Sequence, residues 1–149
     1  MKRKFVWGLV VAASVVLVSA WVIAGTTMPD VIKMNTKGYT AHTKGIVEFS
    51  HKKHVEEYKN ACGECHHDKD GKPLANLKAG DNVQGCIECH KTPGEKPKGK
   101  DAPKLSEKEA LQYHAEAMHQ NCQGCHKEYN KKNNTTNAPT TCVKCHPKQ

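Results

Sequence analysis

All eight cysteines of this 149-residue chain fall in one frame: CGECH at 62–66, CIECH at 86–90, CQGCH at 122–126 and CVKCH at 142–146. Two thiols three positions apart can each form a thioether to one vinyl group of the same porphyrin, and the histidine that follows reaches the iron from one face. The expectation is therefore four covalently bound c-type haems. Cys62, Cys65, Cys86, Cys89, Cys122, Cys125, Cys142 and Cys145 supply the thioethers, and His66, His90, His126 and His146 are the proximal iron ligands. Four disulfides would use the same cysteines, as would two zinc sites of four thiolates each. Neither accounts for a histidine after every second cysteine.

Each of four irons has a second axial position. Outside the motifs the chain offers six histidines: 42, 51, 54, 67, 114 and 119. Residues three apart on a helix point about 60° apart around the axis and sit about 4.5 Å apart along it. His51 and His54, in SHKKHVEEYK, therefore cannot flank one porphyrin and should serve two haems. Sequence neighbours diverge further still. His67, directly behind CGECH, cannot complete the iron that His66 binds, but it can reach an adjacent one and so force two haems together.

The elements that position these groups are sparse. SHKKHVEEYK has helical character with Ser50 as an N-cap candidate. A second helix is expected from Glu107 to about His119, opened by a Ser106–Glu109 capping box and carrying Leu111, Ala115 and Met118 as an apolar stripe. It holds both His114 and His119. His119, three residues before Cys122, is favoured as the fourth distal ligand, with His114 in reserve. Met118 reads as a packing residue, and His42, in GYTAHTKG, as a surface histidine. The motif starts are 24, 36 and 20 residues apart, so no repeat period exists. KTPGEKPKGKDAPK (91–104) and NKKNNTTNAPTT (130–141) read as surface loops wrapped around haems.

The first 24 residues form a separate region. Lys2, Arg3 and Lys4 precede an uncharged, mostly apolar run of 20 residues from Phe5 to Ala24. This order is that of an export signal, cleaved after Ala20 or Ala24. The run is also long enough to remain as a membrane anchor. Residues 1–24 are thus a signal peptide or an N-terminal anchor, and 25–149 are the haem domain. Only 13 of those 125 residues are Leu, Ile, Val or Phe. So low a fraction normally leaves a chain unfolded, unless something other than protein supplies the core. Four porphyrins would do so.

In order, HxxH (51–54), CxxCHH (62–67) and three further CxxCH resemble the class III cytochromes c, the tetrahaem cytochrome c3 family of sulfate-reducing bacteria. The resemblance extends from about Asp30 to His146. It implies a small fold, mainly helix and loop, in which VIKMN and GIVEFSHKKH form a short two-stranded antiparallel sheet ahead of the first haem helix. It also implies ligand pairs: His66 with His51, His90 with His67, His126 with His54, and His146 with His119. Some members have a four-residue gap in the second or fourth motif, whereas all four gaps here are two residues.

With both axial positions filled, no iron keeps a vacancy for substrate. The chemistry expected is electron transfer, not enzymatic turnover. The absence of a methionine ligand and the exposure of porphyrins on so short a chain favour low potentials. The resemblance implies a periplasmic carrier taking electrons from hydrogenase or formate dehydrogenase to membrane-bound redox complexes in sulfate respiration. From Cys122 to Gln149 there are five lysines and one acid, a basic rim suited to transient docking with an acidic redox protein. Nucleic acid is not an expected partner, since the aromatic residues are too few for base stacking. The alternative is a membrane-anchored tetrahaem quinol dehydrogenase feeding a periplasmic reductase, held to the inner membrane through residues 5–24. In that family the first motif follows the anchor closely. Here Cys62 lies 38 residues beyond Ala24.

Overall fold

The computed structural model describes residues 28–148. Two short strands, β1 (Ile32–Lys33) and β2 (Glu48–Phe49), pair antiparallel with Ile32 opposite Phe49 and Lys33 opposite Glu48. The second pair is opposite in charge, with Lys33 Nζ 3.3 Å from Glu48 Oε1. Met34 N–H extends the ladder to the Val47 carbonyl at 2.9 Å.

β2 runs almost directly into α1 (His51–Glu56). Ser50 caps it through its carbonyl and not through the hydroxyl expected from its type, accepting from His54 N–H at 3.2 Å and from His54 Nδ1 at 2.8 Å. Lys52 N–H donates to the Asp30 carbonyl at 3.2 Å, so the start of α1 is tied to the residues before β1.

Each cysteine motif is wound into a single helical turn or part of one. The first lies on a 3-10 turn (Cys62–Glu64), the second on α2 (Cys86–Cys89), the third inside a long helix and the fourth on α5 (Cys142–Cys145). In the three short ones the histidine N–H closes the turn on the first cysteine's carbonyl, at 2.9, 2.9 and 2.7 Å for His66, His90 and His146. That winding brings both sulfurs to the same side of the turn.

The expected helix from Glu107 to His119 is instead two helices. α3 (Glu107–Ala110) has the anticipated Ser106–Glu109 capping box, and α4 (His114–Lys132) begins after a break at Leu111–Tyr113. The break has a cause outside the helix. The segment after α2 pairs with it: Thr92 N–H donates to the Gln112 carbonyl at 2.9 Å, His114 N–H to that of Thr92 at 2.8 Å and Ala115 N–H to that of Gly94 at 3.1 Å. Local periodicity carries no record of such a tertiary pairing. α4 also continues three residues into the stretch read as a loop from 130. It stops at Asn133, and Asn134 then takes φ +48°.

Ala117 is the only buried apolar residue among those described, His114 the only buried polar one, and no side chain is completely enclosed. For a chain of this size that is no protein core at all. The architecture is a few helices and a two-stranded sheet with almost no apolar interior among the described residues.

Candidate functional site

Eight histidines meet in four pairs. Ring centroids are 6.3 Å apart for His51 and His66, 6.0 Å for His67 and His90, 6.2 Å for His54 and His126, and 6.3 Å for His119 and His146. Every pair joins a motif histidine to one from elsewhere. Metal–imidazole bonds of about 2 Å on both sides, with each ring centre about 1.1 Å behind its nitrogen, put centroids a little over 6 Å apart. The observed separations are therefore those of two imidazoles sharing one metal between them. They are too wide for ring stacking contact.

The second nitrogen of most of these rings is already engaged. His54, His67, His90, His126 and His146 each donate Nδ1–H to a backbone carbonyl, those of Ser50, Asp68, Leu111, Pro139 and Gly45 respectively, at 2.8, 2.7, 2.5, 2.7 and 2.8 Å. Such a bond fixes the tautomer that leaves Nε2 bare, orients the ring and raises its basicity as a ligand. Nothing in the sequence marks those five carbonyls. At Gly45 the backbone lies so close to Pro147 that a Cβ there would overlap the Pro147 carbonyl.

Burial lowers the pKa of His66, and its neighbours His51 and His67 lower it further, which keeps the neutral form that binds a metal. Burial also pushes the thiol of half-buried Cys122 up to about 11, with Cys65 and Cys86 adding to the effect. Such surroundings suit an uncharged sulfur, as in a thioether, over a thiolate. None of the eight cysteines is bonded to another. Among the described residues no three of the His, Cys, Asp and Glu side chains converge on one point. The chain thus offers two axial nitrogens and two nearby thiols at each place, a donor set that fits a porphyrin carrying its own equatorial nitrogens.

α4 serves two of the pairs. His119 and His126 are two turns apart on it, about 10.5 Å along the axis and on nearly the same face. His119 also stands on the wall of a cleft of about 500 Å³ shared with Lys96, Leu105, Leu111 and Gly124. His114, the reserve candidate, faces no motif histidine. Its Nδ1 lies 3.0 Å from the Tyr39 hydroxyl, and its ring meets that of Tyr39 edge-on. His42, read as a surface histidine, is half-buried and stacks on Tyr39 with centroids 5.2 Å apart.

The model of the class III cytochrome c family matches residues 28–146. The chain belongs to the class III cytochromes c. Membership carries covalently bound haem c and multihaem electron transfer with redox proteins as partners, and it fits a carrier and not an enzyme. No curated protein and no solved structure matches this cytochrome. Its small fold of few helices and a two-stranded antiparallel sheet suits the family. No helix among the described residues is long and apolar enough to cross a membrane. The apolar run at 5–24 lies outside them.

Proposed function

We propose that this class III cytochrome c is a low-potential periplasmic electron carrier with four bis-histidine haems. His66, His90, His126 and His146 are the proximal ligands, partnered by His51, His67, His54 and His119. What supports the reading is the set of four imidazole pairs at 6.0–6.3 Å, each with one member in a cysteine motif.

The haems supply one-electron storage on iron. The chain's own residues do the rest. Two imidazoles would hold each iron, one from the cysteine motif and one from elsewhere, leaving no place for substrate and favouring electron transfer over bond chemistry. The backbone carbonyls behind the rings make them stronger donors, which favours the ferric state and lowers the potential. Lys127, Lys131, Lys132, Lys144 and Lys148 are all exposed, beside the third and fourth motifs. They form a rim for brief, salt-sensitive docking with an acidic partner. In this reading electrons enter from a periplasmic hydrogenase or formate dehydrogenase and leave to a membrane-bound complex in anaerobic sulfate respiration.

The test is the intact mass of the protein from the soluble and membrane fractions of its host, with carbon monoxide binding to the ferrous form. The chain from Trp21 or Gly25 plus four haems, soluble and inert to carbon monoxide, is the expected result. A full-length chain in the membrane fraction would favour an anchored relay that takes electrons from quinol. Fewer than four haems, or carbon monoxide binding without ligand loss, would sink the proposal.

A further inference from the structure

His114 and Tyr39 have no place among the four ligand pairs, yet the only buried polar side chain among the described residues, that of His114, is bonded to Tyr39. His114 is 7% exposed and bonded through Nδ1 to the Tyr39 hydroxyl at 3.0 Å. Tyr39 comes from the loop between β1 and β2, far away in sequence, and is backed by His42 stacked at an interplanar angle of 10°. The same loop reaches the segment after α2, where a Cβ on Gly38 (φ +112°) would meet Pro93.

The location is specific. His114 is the first residue of α4, and its N–H holds the Thr92 carbonyl, two residues beyond His90. On the other side of the same three-residue break, the Leu111 carbonyl accepts Nδ1–H of His90. The break between α3 and α4 is thus clamped twice, once by the ring it orients and once by the buried Tyr39–His114 pair.

We propose that the Tyr39–His114 hydrogen bond is a positioning lock for His90: it holds the break that carries the Leu111 carbonyl, and so sets the reduction potential of the second haem. This rests on the pairing of His67 with His90 given above. Both residues act through another group and touch no iron. A ligand histidine with a firm Nδ1–H bond donates more strongly, so loosening the lock should weaken donation and raise that one potential.

The experiment compares the intact four-haem protein with Tyr39→Phe and His114→Ala, reading each haem's potential from its methyl resonances by proton NMR. Tyr39→Phe keeps the ring and its stack on His42 while removing the hydroxyl, so it remains informative should His114→Ala fold poorly. The expected result is an upward shift of the second haem by at least threefold in its reduction equilibrium, about 28 mV at about 59 mV per decade. The other three should move much less, and the His90 Nδ1 proton should show a weaker hydrogen bond. An unchanged second haem, or equal shifts in all four, would overturn the lock and leave the ligand pairing standing. A high-spin haem in His114→Ala would make His114 an axial ligand, overturning both.

Discussion

His66 and His67 are joined by one peptide bond and belong to two different imidazole pairs. His66 faces His51 at 6.3 Å between ring centroids, and His67 faces His90 at 6.0 Å. The Asp68 carbonyl, one residue on, takes Nδ1–H of His67 at 2.7 Å and turns that ring away from its neighbour. One dipeptide thus serves two imidazole pairs and, on the proposed ligation, links the first and second haems. Replacing His67 with alanine should leave haem content at four while converting one haem to high spin and opening it to carbon monoxide. Optical and electron paramagnetic resonance spectra of the purified variant would read this. Loss of ligation at the first haem instead would contradict the assignment.

His119→Ala should likewise produce a single high-spin haem. His119 faces His146 at 6.3 Å, whereas His114 is bonded to Tyr39. The two substitutions are a matched pair on one helix, five residues apart. Their difference in spin state separates ligand from neighbour more cleanly than either result alone.

The ring planes differ among the pairs. His54 and His126 are only 23° from parallel, while the other three pairs cross at 90°, 69° and 85°. Parallel imidazoles act on the same iron orbital and split the set strongly, whereas crossed ones leave it nearly degenerate. Fully oxidised protein should therefore give one ordinary rhombic low-spin signal and three with a large maximum g value. In His54→Ala the rhombic signal should be the one that disappears.

How much of this was legible beforehand varies with the range of the interaction. The cysteine frame, the divergence of His66 from His67 and the Ser106–Glu109 capping box are local, and their residue types announce them. The sheet and the ligand pairing came through resemblance, since Ile32–Lys33 and Glu48–Phe49 are too short for alternation to be read with force. The break at Leu111–Tyr113 was invisible because it is made by the Thr92 and Gly94 backbone, some 20 residues earlier. Tyr39 was invisible for the same reason: its partner lies 75 residues away.

Asn130, in the last turn of α4, shows how the loop that follows the helix is held. Its amide donates to the Ala138 carbonyl at 2.8 Å and accepts from Ala138 N–H at 3.1 Å, closing 131–137 into a loop. Next to it, the Pro139 carbonyl takes Nδ1–H of His126. Asn130→Ala removes both bonds and should cost roughly 1–3 kcal/mol of stability, at about 0.5–1.5 kcal/mol per bond. Thermal unfolding would measure the loss, and faster hydrogen exchange at Ala138 would locate it. A variant as stable as the parent would show that the loop is held by the haems alone.

The capping box gives a pH dependence whose sign can be worked out. The Ser106 hydroxyl, then the Ser106 backbone N–H, hold the Glu109 carboxyl below its ordinary value of 4.5. A carboxyl whose folded pKa is depressed contributes its stability above the unfolded value and loses it as pH falls through the folded one. The start of α3 should therefore be firm at neutral pH and fray as the pH falls below that ordinary value and through the depressed folded one. Amide hydrogen exchange at Ser106, whose N–H donates to Glu109 Oε2 at 2.8 Å, is the readout, corrected for the intrinsic rate. Glu109→Gln keeps an acceptor at that position but cannot titrate, so its protection should stay level over the same range. If parent and variant fray together on acidification, the carboxylate is not what caps the helix.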